Sequence, residues 1–324
     1  EIGAGKGGVE IVTAKQMVHR CMETTMEGYQ AEPGILTGFS RLDAMTGGLR
    51  PGRLAIIAGR PATGKTGLAL QIALSVSERP VERGGGPVLF FSLEMPQEEL
   101  YVRAVANLAG VDSMTLQQRQ WDSVAYARVI SPVNDRLAEL PLFISDDCEL
   151  SVPAMRAAAR RLVKEQGIRL ILIDHLHHLP LPEGSGRESL HAGYSKLVKG
   201  IWQMGRTLNV PVLLLCQLSR NTERREEKRP VLSDLRETGS IEENAHLVLM
   251  LYRAGYYQRT EGEPEPVEGD LEVLVRKNRQ GPTGSVTLRY RLDQSRYWET
   301  DAQAESLGQH APPDLDEQHW SEER

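Results

Sequence analysis

Short apolar runs alternate with longer amphipathic stretches along most of this chain, and the two patterns predict different elements. Residues 54–58, 88–92, 170–173 and 210–215 are compact and rich in Leu, Ile, Val and Phe, the signature of strands buried on both faces. Residues 141–145, 246–252, 271–276 and 285–291 read as further strands. From about 9 to 29, Ala14, Met17, Val18, Cys21 and Met22 recur at steps of three and four. That spacing predicts an amphipathic helix, closed by Gly28 and then Pro33-Gly34. Its apolar stripe needs cover, from its own domain or from a neighbouring subunit, and periodicity does not choose between them.

Other helices follow the same logic. Leu68, Leu70, Ile72 and Ala73 predict one after residue 66. Pro96 opens another that stops at Gly110, and 113–140 reads as helical pieces. Ser151 and Pro153 start a helix ending near Gly167, and 188–208 is a further helix. The segment 221–230 is highly charged and expected to be exposed. Strands alternate with helices in the first two thirds and lie closer together afterwards. The predicted class is α/β: a mostly parallel sheet, helices on both faces and extra strands at one edge.

The first buried run leads into Gly59-Arg60-Pro61-Ala62-Thr63-Gly64-Lys65-Thr66. This is G-x-x-x-x-G-K-T placed between a strand and a helix, the context that a phosphate-binding P-loop needs. Its glycines let backbone N–H groups turn inward around phosphate oxygens, and the helix start adds partial positive charge. Lys65 is expected to reach the β- and γ-phosphates and Thr66 to ligate Mg²⁺. Leu170-Ile171-Leu172-Ile173 runs straight into Asp174, an acid at the end of a buried strand and the second expected metal anchor. Glu94, just past residues 88–92, is the candidate water activator; a helix-start carboxylate favoured by the dipole is the plainer alternative.

Composition narrows the picture little. The cysteines Cys21, Cys148 and Cys216 have no paired spacing, which fits thiols in a reducing cytoplasm. No apolar run approaches membrane-span length, and residues 1–8 lack the apolar core of a secretory signal. The chain opens on Glu1 rather than Met, so a piece of something longer is expected. The net charge of −6 resides in the tail: seven acids and one base, Arg324, stand from Asp301 onward. Residues 1–300 are formally neutral, which leaves room for a basic nucleic-acid surface.

Several blocks together resemble the ATPase domain of DnaB-type hexameric replicative helicases, over about residues 10–298. They are Thr37-Gly38-Phe39 with Leu42-Asp43, the P-loop, Phe91-Ser92-Leu93-Glu94-Met95, Ile173-Asp174, residues 217–220 with 228–230 and 233–242, and Lys277-Asn278-Arg279-Gln280-Gly281-Pro282-Thr283-Gly284. The resemblance implies a RecA-like fold, a homo-hexameric ring, ATP with Mg²⁺, and movement along single-stranded DNA. It gives Glu94 the catalytic-base position and Gln217 the γ-phosphate sensor position. Lys277 and Arg279 match residues that reach the nucleotide of the neighbouring subunit. Arg236, Glu237 and Gly239 match a loop lining the central channel, and Arg103 matches another DNA-associated residue. Residues 1–30 then hold a flexible start and a linker helix that docks on the next subunit, 31–300 the motor, and 301–324 a disordered acidic tail.

A helicase loader is among the implied partners. The family's primase-recruiting N-terminal domain has no counterpart here, so primase contact is not expected. Two readings compete with the helicase: a RecA/RadA-type recombinase, and a regulatory DNA-binding ATPase that does not unwind. The sequence also departs from the family's Tyr-Leu-Gln after the acid, with His175, Leu176, His177 and then His178. Alternation would put His175 and His177 on one side and His178 on the other. They read as polar relay residues between nucleotide and DNA loop, with metal ligation as the lesser alternative.

Overall fold

The structure, a computed structural model, describes residues 13–26, 34–118, 124, 126–181, 190–258 and 266–300, with side chains left out at 20, 21, 23–26, 221, 224, 236–239 and 258. The predicted acidic tail and the predicted loop at 184–186 lie outside the described residues. The chain divides into two compact units, Glu1–Pro33 and Gly34–Arg324.

The described part of the first unit is helix α1, Ala14–Met26. A capping box starts it. The Thr13 N–H donates to Gln16 Oε1 at 2.8 Å, and the Gln16 N–H donates to Thr13 Oγ1 at 3.2 Å. This fixes the first helical residue at Ala14, about five residues later than periodicity places it. Met17, Val18 and Met22 are each about half exposed, at 53%, 49% and 53%.

The second unit is built on a nine-stranded sheet: β1 Leu54–Gly59, β2 Val88–Ser92, β3 Leu142–Ser145, β4 Leu170–Asp174, β5 Val212–Gln217, β6 Leu247–Tyr252, β7 Glu268–Asn278, β8 Gly284–Arg291 and β9 Arg296–Glu299. Their order is β3-β2-β4-β5-β1-β6-β7-β8-β9. The first six are parallel, and β7 to β9 extend one edge antiparallel. β1, β2, β4 and β6 are buried at every residue, which is why they read as unbroken apolar runs. The sequence reading missed β9, whose Arg-Tyr-Trp-Glu is too short and too polar to signal a strand.

Strand alternation divides the core into two layers. Ala55 and Ile57 face α2 (Ser40–Thr46), α3 (Lys65–Glu78) and α4 (Gln97–Ala109) through Leu42, Leu68, Ile72, Leu100 and Ala104. Leu54, Ile56 and Ala58 face the helices Val152–Gln166 and Leu190–Leu208 through Met155, Ala159, Leu197, Ile201 and Met204. The Ser151 hydroxyl caps the first of these by accepting from the Ala154 N–H, and left-handed Gly167 ends it, as the sequence reading expected. The Thr37…Asp43 block is a folding device. Asp43 accepts from the Thr37 N–H and hydroxyl, both at 2.8 Å, and from the Gly38 N–H at 3.1 Å. Burial raises this carboxyl above its usual range, and these bonds act against that shift.

Candidate active site

Parallel pairing brings distant segments to one edge of the sheet. Gly59 lies opposite Gln217, and Ser92 lies opposite Asp174. The P-loop, Glu94, Asp174 and Gln217 therefore leave neighbouring strands at their carboxyl ends, where open α/β sheets bind ligands.

The P-loop holds its turn through its own bonds. The Thr63 hydroxyl donates to Arg60 O at 2.7 Å, and Ala62 and Gly64 adopt φ of 58° and 96°. A side chain at Gly64 would meet Tyr297 Oη at 2.5 Å, so the close approach of β9 requires glycine there as well. Tyr297 Oη donates to Gly64 O at 3.1 Å. Lys65 Nζ donates to Gly59 O at 3.1 Å and to Arg60 O at 3.0 Å. Burial lowers the Lys65 pKa, while the nearby Asp174 and Glu94 carboxylates act against that shift.

The Thr66 hydroxyl donates to Asp174 Oδ2 at 2.6 Å. Asp174 is 1% exposed, and its other oxygen, Oδ1, has no hydrogen-bond partner. Burial, with the charge of Glu94 adding to it, raises this carboxyl to about 6 against the pull of Thr66 and Lys65. A buried carboxylate oxygen without a partner beside a threonine hydroxyl is an all-oxygen donor pair, which suits Mg²⁺.

Glu94 sits in the bend between β2 and α4, with its side chain 52% exposed. It precedes Pro96, the N-cap of α4, so it lies outside the first helical turn. Its Oε2 is 3.0 Å from His175 Nδ1. Burial, followed by the charges of His178, His177 and Lys65, pushes His175 down to about 3, so this imidazole is neutral.

The histidines do not alternate. β4 ends at Asp174 and the chain turns into a 3₁₀ helix, Leu176–His178. Residues three apart eclipse in such a turn. His175 and His178 therefore lie side by side, with ring centroids 4.4 Å apart and planes tilted by 45°, while the centroids of His175 and His177 are 5.6 Å apart.

The remaining expected residues lie elsewhere. The Arg279 N–H donates to His246 O, and the His246 N–H donates to Leu54 O, which places Arg279 at the opposite end of β1 from the P-loop. The Lys277 ammonium donates to Glu242 O and the Arg279 guanidinium to Glu243 O. Arg103 on α4 pairs with Glu99 at 2.8 Å. The side chains of Arg236 and Glu237 lie outside the described residues. Their backbone forms the 3₁₀ segment Leu232–Thr238, and Gly239 begins the helix Gly239–Asn244. Leu235 and Ile241 pack on the sheet face opposite the one that holds α4, so Arg103 and this segment are not brought together within one chain. The charged stretch 221–230 is pinned as well as exposed: Arg225 bonds Asp234 at 2.7 Å and Arg229 bonds Glu272 at 2.8 Å.

Two residues that brace the P-loop escaped the sequence reading. Arg253 is buried just past β6. Its Nη1 donates to Ala62 O at 2.9 Å, its Nη2 to Tyr290 Oη at 3.0 Å, and it lies 4.2 Å from the Tyr290 ring centroid. Tyr297 is the other. An arginine after an apolar run was the one available signal for Arg253, and it is not a specific one.

Comparison with known proteins places the sequence and the fold in a family. The family model for the DnaB-like helicase C-terminal domain matches residues 34–299. The chain is 38% identical over 269 residues to a probable replicative DNA helicase of Trieres chinensis, covering 82% of this chain and 57% of that protein. It is 35% identical over 274 residues to the replicative DNA helicase DnaB of Haemophilus influenzae, covering 84% and 56%. The chain thus spans little more than half the length of these relatives. A solved structure of an ATPase domain superposes with a TM-score of 0.79 at 27% identity, covering 90% of this chain and 100% of that one. A DnaB-like replicative helicase, solved in a study of its interactions with primase, gives 0.76 at 27% identity, covering 90% and 68%.

Proposed function

The chain belongs to the DnaB-like helicase C-terminal domain family, and from this we propose that it is the ATP-hydrolysing motor of a replicative DNA helicase, acting as a homo-hexameric ring on single-stranded DNA. The observation that carries the reading is the Thr66–Asp174 hydrogen bond of 2.6 Å, beside Lys65 and opposite Glu94. It joins a phosphate cradle, a metal anchor and a carboxylate open to water at one sheet edge.

The chemistry follows from those residues. The P-loop N–H groups and the start of α3 receive the phosphates. Lys65 exchanges its carbonyl partners, Gly59 and Arg60, for phosphate oxygens, which compensates its buried charge. Thr66 and the Asp174 oxygen without a partner would hold Mg²⁺, which when bound supplies positive charge against the β- and γ-phosphates. Glu94, exposed at the mouth, takes a proton from water as the water oxygen attacks the γ-phosphorus and the bond to the β-phosphate oxygen breaks. Gln217, opposite Gly59, is placed to sense the departing phosphate.

Arg279 and Lys277 lie too far from their own P-loop, so they serve the pocket of the next subunit in the ring. Helix α1 offers Met17, Val18 and Met22 to that neighbour. The DNA grip falls to the 232–244 segment and Arg103. The Arg103–Glu99 pair, of a kind worth about 0.3–0.5 kcal/mol, is weak enough to yield to a phosphate.

The test is a paired measurement of Mg²⁺-dependent ATP hydrolysis and strand displacement on a forked duplex. Hydrolysis stimulated by single-stranded DNA together with displacement is the expected result. Hydrolysis without displacement by a verified ring would reduce the chain to a DNA-responsive ATPase.

A further inference from the structure

The cluster beside the nucleotide site has a second chemistry. One ligand atom each from Glu94, His175 and His178 lies within 4.8 Å of the other two. Glu94 Oε2 and His175 Nδ1 are already 3.0 Å apart. That Nδ1 is buried and makes no hydrogen bond, although it faces the carboxylate. His178 Nδ1 lies 3.2 Å from Leu93 O. A proton on that nitrogen completes a hydrogen bond and leaves Nε2 with its lone pair. A backbone carbonyl holding the far nitrogen of a ring is how proteins orient metal-binding histidines.

Two imidazoles and one carboxylate are the donor set of zinc-class cations, whereas Mg²⁺ takes oxygens. Tetrahedral bonds of ~2.0–2.1 Å hold ligand atoms roughly 3.3–3.4 Å apart, so the cluster must contract by about 1–1.5 Å. The side chains of Glu94 and His178 are exposed, which leaves room for that contraction and gives the ion its way in. His175, fixed in the core, is the anchor.

We propose that Glu94, His175 and His178 form a site for a zinc-class divalent cation, and that filling it withdraws Glu94 from water activation. The metal site is then an inhibitory one, distinct from the more deeply buried Thr66–Asp174 pair. Its inhibitory effect rests on the reading of Glu94 as the proton acceptor; its existence does not.

Cobalt(II) provides the probe, because its visible absorption separates tetrahedral from octahedral ligation. The full chain, without nucleotide and with excess Mg²⁺, is titrated with Co²⁺ and then with Zn²⁺. One Co²⁺ per chain with tetrahedral bands, displaced by Zn²⁺, is expected. His178→Gln and Glu94→Gln, both at exposed positions that keep the fold, should each weaken uptake by at least about tenfold. In the hydrolysis assay at fixed Mg²⁺ and ATP, Zn²⁺ should inhibit the parent chain, and His178→Gln should need at least about tenfold more zinc. Absence of stoichiometric Co²⁺ uptake, or equal uptake by parent and both variants, overturns the site. Tight uptake without inhibition upholds the site and removes Glu94 from the proton-acceptor role.

Discussion

Separate Lys65→Ala and Arg279→Ala chains, assayed alone and then mixed, test whether hydrolysis is completed between subunits. Arg279 hydrogen-bonds at the level of Leu54, the first residue of β1, while the P-loop begins at Gly59, the last. Five residue steps of ~3.3 Å put roughly 16 Å between those levels along the strand, so Arg279 cannot serve the pocket of its own chain. A surface arginine in an ion pair is worth about 0–1 kcal/mol, and its loss would barely alter turnover. An arginine finger is worth roughly 10³–10⁵ in rate. That range corresponds to ~4–7 kcal/mol of barrier.

Each variant alone should therefore fall to background: Lys65→Ala has a ruined pocket and a sound finger, and Arg279→Ala the reverse. In a randomly mixed 1:1 ring, half of the pockets are intact and half of the neighbouring fingers are intact. About a quarter of the interfaces are then competent, and ATP hydrolysis per chain should return to roughly a quarter of the parent value if interfaces act independently. Phosphate release is the assay, with subunit exchange verified by mass or by fluorescence transfer between labelled chains. Mixed rings that recover nothing would refute action in trans, and an Arg279→Ala chain that is active alone would refute the finger altogether.

Further outcomes follow from the same geometry. Glu94→Gln should keep Mg²⁺–ATP binding and lose hydrolysis, because the amide retains the shape but accepts no proton; single-turnover phosphate release checks this, and turnover within a few-fold of the parent would return Glu94 to a surface role. Asp174 holds its proton up to about pH 6, so metal binding must displace that proton in more acidic solution. Apparent Mg²⁺ affinity for the nucleotide-bound chain should then fall by up to about tenfold per pH unit below 6, a dependence that Asp174→Asn should lack. Burial raises this carboxyl, so ionising it costs the folded chain stability as pH rises from about 4 to 6; without metal and nucleotide, Asp174→Asn should remove that part of the slope in denaturant titrations. Arg236→Ala should weaken single-stranded DNA binding and lower its salt slope by about one unit while basal hydrolysis persists; an unchanged slope would take Arg236 out of the channel.

Local pattern was enough for the frame of the sheet. Strands buried on both faces carry no alternation, so β1, β2 and β4 stood out as apolar runs, and each motif was tied to the end of such a run. The P-loop, Glu94, Asp174 and Gln217 were therefore legible, because parallel strands deliver their following residues to one edge whatever their order. Contacts made across the fold were not legible. Tyr297 meets Gly64 from 233 residues away, and Arg253 meets Ala62 from 191 residues away. No periodicity links such pairs: Arg253 reaches Ala62 because β6 pairs parallel to β1 and delivers its next residue to the same edge, and Tyr297 reaches Gly64 because the antiparallel edge strands bring β9 against the P-loop. The pairing of His175 with His178 turned on a few dihedral angles, since a strand would have separated the rings and a 3₁₀ turn eclipses them. Which face of the sheet carries Arg103, and which end of β1 carries Arg279, depended on the layering of helices and on β6–β7 pairing. Those are properties of the packed sheet, set by burial over the whole unit rather than by any window of neighbouring residues.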